Sequence, residues 1–167
     1  MRRILKSAAT ALMLTCMGGD VLAATESSAS CANSEDMLAV RAAAVQQRLM
    51  VAAFSCHATD RYNNFVTTYQ KDLQASDRAL QNFFRRLNGQ TGVADYHSFK
   101  TRLANNSSIQ SFRDASYCAD AQTTFDAALT NTKGSLPVFL AGQTTAVDNA
   151  FSPCQVVTAS TNKTPRQ

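Results

Sequence analysis

The sequence predicts an all-α protein, an up-down bundle of about four helices braced by two disulfides. Apolar residues recur with helical spacing through most of the chain, and 3 Pro and 6 Gly in 167 residues are too few for many turns between short strands. An export signal precedes four further cysteines, an even number that is typical of disulfide-stabilised exported domains.

The N-terminus is predicted to be a secretory signal peptide, residues 1–23. The basic "MRRILK" precedes "SAATALMLTCM", which is apolar but too short to span a bilayer, and "VLA" supplies the cleavage site. Cleavage removes three of the 16 basic and one of the 12 acidic residues, so the net charge falls from +4 to +2. We therefore expect a periplasmic or secreted protein that is not an integral membrane protein after cleavage.

The mature chain is long enough for one domain. We expect a flexible lead at 24–30, a disulfide-braced helical domain at 31–154 and a disordered tail at 155–167, where "QVVTASTNKTPRQ" follows the last cysteine.

The first predicted helix runs from Ser34 to Cys56, capped by Asn33 or Ser34 and followed by acidic residues in its first turn. Its apolar residues recur at steps of three and four and form one stripe: Leu38, Ala42, Val45, Leu49, Ala52 and Cys56. A second helix is predicted from Thr59 or Asp60 to a stop at Gly89. Its apolar face comprises Tyr62, Phe65, Val66, Tyr69, Leu73, Leu80, Phe83, Phe84 and Leu87.

The third helix is predicted from about Val93 or Asp95, with "NNSSIQS" obscuring its end, and the fourth from near Asp114 to a point before Gly134. Both carry inward-facing aromatic and aliphatic residues: Tyr96, Phe99, Leu103, Tyr117, Ala121, Phe125, Ala128 and Leu129. Residues 135–154 read as an extended segment with a short helix around Thr145–Phe151. We expect Val138, Phe139 and Leu140 to be buried.

Helix lengths decide among the three possible cysteine pairings. A helix over 34–56 is about 33 Å long, so it holds Cys31 and Cys56 too far apart for a bridge, which needs Cα atoms within about 7 Å. Cys118 begins the fourth helix at the same end of the bundle as Cys56. The predicted disulfides are therefore Cys56–Cys118 and Cys31–Cys154.

The most enzyme-like feature is "SCHAT", which places Cys56 beside His57, one of two histidines. If Cys56 forms a disulfide, it cannot act as a thiolate nucleophile. In addition, the general base of a cysteine nucleophile is seldom the adjacent residue in the sequence, which His57 would be. The alternative is a small enzyme or metal-binding protein that uses His57 and His97 with nearby carboxylates. No metal-ligand spacing such as His-x-x-x-His supports it, so we assign no catalytic or metal residue.

Other chemistries lack their motifs. The chain has no Gly-x-Ser-x-Gly turn, phosphate loop or dinucleotide fingerprint, so we expect no cofactor. The near-neutral mature charge does not favour a nucleic-acid partner. A possible basic contact face for an anionic surface or an envelope protein lies on the second helix: Lys71, Arg78, Arg85 and Arg86.

Three runs, "LAVRAAAVQQRLMVAAFSCHATDRYNNFVTTYQKDLQASDRALQNFFRR", "YHSFKTRLANNSS" and "ASYCADAQTTFDAAL", resemble a family of small exported bacterial proteins with four cysteines. The resemblance covers about residues 31–131 and brings no catalytic residues with it. Some members bear an adenosylhomocysteinase label. This sequence does not support that activity, because the chain is far too short and lacks the Gly-rich motif.

These features favour an exported binding or structural protein of the bacterial envelope over an enzyme. The alternatives are the histidine-based enzyme or metal-binding protein and a periplasmic chaperone-like protein with an apolar groove.

Overall fold

A computed structural model describes residues 31–130 and 134–155. Over these residues the protein consists of helices without a β-strand, which confirms the predicted all-α class. The predicted signal peptide and lead, and the tail beyond Gln155, lie outside the described residues. The helices are α1 (Ser34–Ser55), α2 (Thr59–Thr68), α3 (Gln70–Asn88), α4 (Gly92–Arg113), α5 (Tyr117–Thr130) and α6 (Leu136–Ala141).

Helix α1 begins with a reciprocal cap. The Asn33 side chain accepts from the backbone N–H of Asp36 at 2.9 Å, and the Asp36 carboxylate accepts from the backbone N–H of Asn33 at 2.8 Å. Asp36 is buried and also forms an ion pair with Arg86 of α3. The cap therefore fixes both the start of α1 and the position of α3 against it.

Helix α1 is the central helix of the bundle and packs against all five other helices. The predicted single apolar stripe understates its burial, because residues on its other faces are buried as well: Ala39, Val40, Ala43, Gln47 and Ala53. By length and composition α1 could cross a membrane, but half of its most apolar window is buried inside the bundle. Its hydrophobicity is accounted for by its place in the core.

The predicted second helix is divided in two at Tyr69. Tyr69 departs from helical geometry, with φ −108° and ψ 19°, while its backbone N–H still donates to Phe65 O at 3.1 Å. Its ring is buried and stacks on Phe139, and its hydroxyl donates to Ala128 O at 2.8 Å. These contacts with α5 and α6 accompany the break, which apolar spacing does not reveal.

A glycine pair joins α3 to α4. Gly89 ends α3 with φ +56°, as the sequence predicts for its C-terminus, and a single 3-10 turn leads to Gly92. Helix α4 then continues through "NNSSIQS" to Arg113, so these polar residues do not end it. Helix α5 begins at Tyr117, three residues after Asp114.

The segment after α5 differs from its prediction. Residues 136–141 are the helix α6 rather than an extended chain, and residues 146–149 form turns instead of the predicted helix around Thr145–Phe151. Phe139 and Leu140 are buried as expected, but Val138 is 61% exposed because it lies on the outer side of α6. A six-residue helix shows fewer than two turns of periodicity, so its sequence does not separate it from a strand.

Both predicted disulfides are present. Cys56 bonds Cys118 with Cα atoms 5.5 Å apart, and Cys31 bonds Cys154 with Cα atoms 4.8 Å apart. The first ties the end of α1 to the start of α5. The second returns the C-terminal segment to the start of α1, where Ala32 and Pro153 form an isolated bridge. Two disulfides indicate an oxidising, extracytoplasmic environment.

Candidate functional site

A cleft of about 570 Å³ opens between α1, α4, α5 and the segment 143–147, and we call it the α1–α4–α5 cleft. It is within the size range of small-molecule sites. A second cleft, of about 380 Å³, lies between α1, α2, α3 and α4. The first combines apolar, amide, hydroxyl and charged side chains: Ala44, Val45, Arg48, Leu103, Asn106, Ser107, Ile109, Gln110, Asp114, Thr124, Gln143, Thr144, Thr145, Ala146 and Val147.

Arg48 is the positively charged residue that lines this cleft, and its guanidinium is incompletely hydrogen-bonded. Its Nε is buried and has no hydrogen-bond partner. Its Nη2 is 3.8 Å from Asp120 Oδ2, beyond hydrogen-bond range. The guanidinium lies over the Tyr117 ring, 5.7 Å from its centroid. A buried N–H without an acceptor carries a desolvation cost, and a shift of the Arg48 side chain toward an acceptor in the cleft would relieve it.

Tyr117 packs beneath the Arg48 guanidinium. The ring is buried, and the hydroxyl donates to Arg48 O at 3.0 Å, which joins α5 to α1. Burial raises the pKa of Tyr117, although the charge of Arg48 and a hydrogen bond with Ser107 oppose the rise. Tyr117 is therefore a neutral phenol at physiological pH and acts as a structural donor.

Asp114 supplies the negative charge of the cleft. It is exposed, and its Oδ1 accepts from both the backbone N–H and the Oγ of Ser116 at 2.9 Å. The backbone hydrogen bond, with help from the Ser116 hydroxyl, holds the pKa of Asp114 below its usual range. The carboxylate is therefore ionised, and it also feels the charge of Arg48.

The wall at 143–147 is anchored by Asp148. Its Oδ2 accepts from the backbone N–H of Thr145 at 3.0 Å, and its Oδ1 accepts from the Thr145 hydroxyl at 2.8 Å and from Arg41 Nε at 2.7 Å. These bonds, the backbone bond first, lower the pKa of Asp148. An otherwise irregular segment is thus fixed against α1.

A second polar cluster lies beside the smaller cleft. Lys100 Nζ donates to Asp77 Oδ1 at 2.8 Å, and the Tyr96 hydroxyl donates to the same oxygen at 2.6 Å. Burial raises the pKa of Asp77, but these hydrogen bonds outweigh it and the pKa lies below its ordinary value. Burial likewise lowers the pKa of Lys100, and the bond to Asp77 reverses the shift. Both groups are charged and mutually satisfied, which is a structural arrangement.

The Cys56–His57 pair is not a nucleophile and base, because Cys56 is bonded to Cys118. His57 is exposed and adopts φ +55°, in the left-handed region, directly after the residue that caps α1. That position ends helices and normally favours glycine or asparagine. His57 therefore reverses the chain between α1 and α2.

His97 is exposed on α4, with its ring centroid 4.9 Å from that of Tyr96. Over residues 31–130 and 134–155, no group of three or more His, Cys, Asp and Glu side chains is placed to hold a metal ion. Several carboxylates instead bond neighbours across helices, as Asp126 does with Arg61 and Asp72 with the backbone N–H of Leu136.

The predicted basic face divides into two parts. Lys71, Arg78 and Arg85 are exposed and recur every seven residues, so they share one side of α3. Arg86 instead lies over the Phe83 ring and pairs with Asp36. Contact of the three exposed residues with an anionic surface stays a prediction.

Sequence reasoning missed the α1–α4–α5 cleft, although one signal was present. The stretch "NNSSIQS" places Asn106, Ser107 and Gln110 on α4 facing the cleft, and Ser107 is buried. The sequence pattern suggested the end of a helix, whereas these polar residues lie within α4 and line the cleft. The role of Arg48 could not be seen, since it depends on segment 143–147 and on α5.

No family model, curated protein or solved structure matches this chain. The family resemblance read from the sequence therefore stays a prediction.

Proposed function

We propose that this protein is an exported, non-catalytic binding protein of the bacterial envelope, periplasmic or secreted, and that its ligand occupies the α1–α4–α5 cleft. The observation that carries the proposal is the side chain of Arg48, which is 34% exposed beside a cleft of about 570 Å³ and has a buried, unsatisfied Nε. Binding sites combine apolar walls with a few polar groups that fix a ligand's orientation, and this lining has both.

A binding role also fits the brace around the cleft. The Cys56–Cys118 disulfide fixes the end of α1 to the start of α5, and Asp148 fixes segment 143–147 to α1. Three of the four walls are therefore held in place before any ligand arrives. Preorganisation of this kind lowers the entropic cost of binding.

Fragment screening by NMR tests the proposal on the oxidised mature protein. The library contains neutral, anionic, cationic and zwitterionic fragments in equal numbers. We expect saturable shifts at the backbone amides that line the cleft. Thr144→Trp, at an exposed position on the wall, should abolish them, whereas Thr123→Trp, exposed on α5 and outside the lining, should not. The proposal fails if no fragment shifts these amides or if Thr144→Trp leaves the shifts unchanged.

A second candidate function, chaperone-like binding of apolar segments, is favoured by two exposed phenylalanines. Phe54 is 75% exposed and Phe112 is 87% exposed. They lie at neighbouring helix ends, because Ser55 Oγ and Ser111 Oγ are 3.3 Å apart. If this surface binds apolar segments, the native protein should enhance the fluorescence of a hydrophobic dye, and replacing both phenylalanines by serine should remove the enhancement.

A further inference from the structure

The charges of the α1–α4–α5 cleft are balanced. Among the residues that line it, Arg48 and Asp114 are the two charged side chains, one positive and one negative. They sense each other electrostatically, because Arg48 contributes to lowering the pKa of Asp114. A ligand with a single net charge would be attracted to one of them and repelled by the other. A ligand that carries both charges matches the pair.

The Arg48 side of the cleft is suited to a carboxylate. A guanidinium offers donors in a planar fork that fits the two oxygens of a carboxylate. The Nε of Arg48 lacks an acceptor, and Asp120 at 3.8 Å does not bond Nη2. By contrast, Arg41 and Arg61 donate directly to the carboxylates of Asp148 and Asp126, whereas the ion pair of Arg48 with Asp120 spans 3.8 Å. Arg48 lines the α1–α4–α5 cleft, where a ligand can approach its guanidinium.

The Asp114 side is suited to an ammonium group. The hydrogen bonds to its side chain from Ser116 both end at Oδ1. Oδ2 of the exposed, ionised carboxylate can therefore accept from a ligand. Amide and hydroxyl side chains stand around the two charges, and they can bond peptide or amino-acid backbone groups: Asn106, Ser107, Gln110, Thr124, Gln143, Thr144 and Thr145.

We propose that the ligand is a small zwitterion, a free amino acid or a short peptide, with its carboxylate on Arg48 and its ammonium group on Asp114. The apolar lining would take an aliphatic side chain: Ala44, Val45, Leu103, Ala146 and Val147. This inference rests on the proposed function, since it specifies the ligand of the same cleft.

Matched probes test the requirement for both charges. Norleucine carries both groups, hexanoate lacks only the ammonium group, and pentylamine lacks only the carboxylate. Leucyl-alanine keeps both charges but separates them by a peptide bond. By calorimetry on the oxidised protein, we expect norleucine or leucyl-alanine to bind about 10- to 100-fold more tightly than either single-charge probe. Whichever zwitterion binds more tightly identifies the source, amino acid or peptide, and both results support the proposal.

Two substitutions assign each charge to its residue. Asp114→Asn retains an oxygen that can accept from Ser116, and it should lower norleucine affinity to the level of hexanoate without lowering hexanoate affinity. Arg48→Gln should lower norleucine affinity to the level of pentylamine. Arg61→Gln is the control, because Arg61 also rests on an α5 aromatic ring, that of Phe125, but does not line the cleft. Arg61→Gln should bind norleucine as the wild type does.

A wild-type measurement covers the case in which Arg48→Gln does not fold. The Nε–H resonance of Arg48 should move downfield and exchange more slowly with water when a zwitterion is added. An unmoved Nε–H resonance would overturn the assignment. So would single-charge probes that bind as tightly as the better of the two zwitterions, or zwitterions that do not bind while other fragments occupy the cleft. If other fragments bind but zwitterions do not, the proposed binding function stands and only the zwitterionic ligand is excluded. If no fragment binds in the cleft, both proposals fail.

Discussion

Arg41 of α1 donates through Nε to Asp148 Oδ1 at 2.7 Å, across 107 residues of sequence. Asp148 also accepts from the backbone N–H and the hydroxyl of Thr145. One carboxylate therefore stabilises the turn at 145–148 and attaches this irregular segment to the central helix α1. The Cys31–Cys154 disulfide holds the same segment from its far end. The wall of the cleft therefore depends on a polar contact and a covalent bond rather than on regular secondary structure.

Removing this carboxylate should loosen the wall. We expect Asp148→Ala to lower the free energy of unfolding by about 1–2 kcal/mol, because the Thr145 N–H and Arg41 lose their acceptor. Urea denaturation measures the loss, and hydrogen exchange should show faster exchange at Thr145. Asp126→Ala, which removes the more exposed ion pair to Arg61, should cost less than about 1 kcal/mol. Equal losses in the two variants would contradict the anchoring role of Asp148.

The Asp77–Lys100 ion pair should make the free energy of unfolding fall at both acid and alkaline pH. The folded-state pKa of Asp77 is depressed, so its contribution is present above the unfolded value of about 3.9 and is lost as the pH falls through the folded value. The folded-state pKa of Lys100 is raised, so its contribution is present below about 10.4 and is lost as the pH rises through the folded value.

Asp77→Asn tests both limbs in one variant. It removes the carboxyl group whose pKa is lowered in the folded protein, and with it the partner that raises the pKa of Lys100. We expect lower stability at pH 7 and a flatter profile of unfolding free energy at acid and alkaline pH, measured by urea denaturation. A profile as steep as that of the wild type would show that other groups dominate the pH dependence.

The sequence predicted those parts of the fold that are governed by local rules. Asn33 and Asp36 form a cap whose spacing is visible in "NSED", and Gly89 ends α3 where basic residues precede a glycine. The disulfide pairing followed from the length of α1, which separates Cys31 from Cys56, and from the up-down order of the helices, which places Cys118 at the same end as Cys56. Helix caps, the spacing of apolar residues and helix lengths are all determined by residues that are close together in the sequence.

What the sequence left undetermined depends on contacts between distant residues. The break at Tyr69 accompanies stacking on Phe139 and a bond to Ala128, 70 and 59 residues away. Arg48 resembles any polar residue off the apolar stripe until α5 places Tyr117 beneath it. The candidate site is formed by such contacts, so its residues could not be predicted together.

The two disulfides should contribute separately. In the chain-entropy model, bridges that span 62 and 123 residues are worth about 4 and 5 kcal/mol, with measured losses typically about 2–5 kcal/mol. We expect Cys56→Ser/Cys118→Ser and Cys31→Ser/Cys154→Ser each to lose an amount in this range. Hydrogen exchange should localise the first loss to the start of α5 and the second to residues 143–155.

Peptide mapping without reduction is the control for this comparison. The wild type should yield Cys56 linked to Cys118 and Cys31 linked to Cys154. A free Cys56 thiol in the exported protein would contradict the pairing and would return attention to His57.

Gly92 is the first residue of α4, and its backbone lies directly against the backbone of α3. A Cβ built there would lie 2.5 Å from Phe84 O and 2.6 Å from Arg85 Cα, both backbone atoms that cannot move aside as a side chain can. We therefore expect Gly92→Ala to force the helices apart and to cost about 1–3 kcal/mol, the range found for overpacked interiors. Thermal or urea denaturation measures the change, and loss of protection in Phe83 and Phe84 should accompany it, since both belong to the core that α3 presents to α4.

Gly142 provides the matched control for this steric argument. Its built Cβ would lie 3.7 Å from Phe139 O, an ordinary contact, and its φ of −87° suits any residue. Gly142→Ala should therefore change stability by less than about 0.5 kcal/mol. Both substitutions add the same methyl group and reduce the entropy of the unfolded chain in the same way. A difference between them therefore measures the close approach of α4 to α3, and equal effects would mean that the two helices can separate at Gly92 without loss.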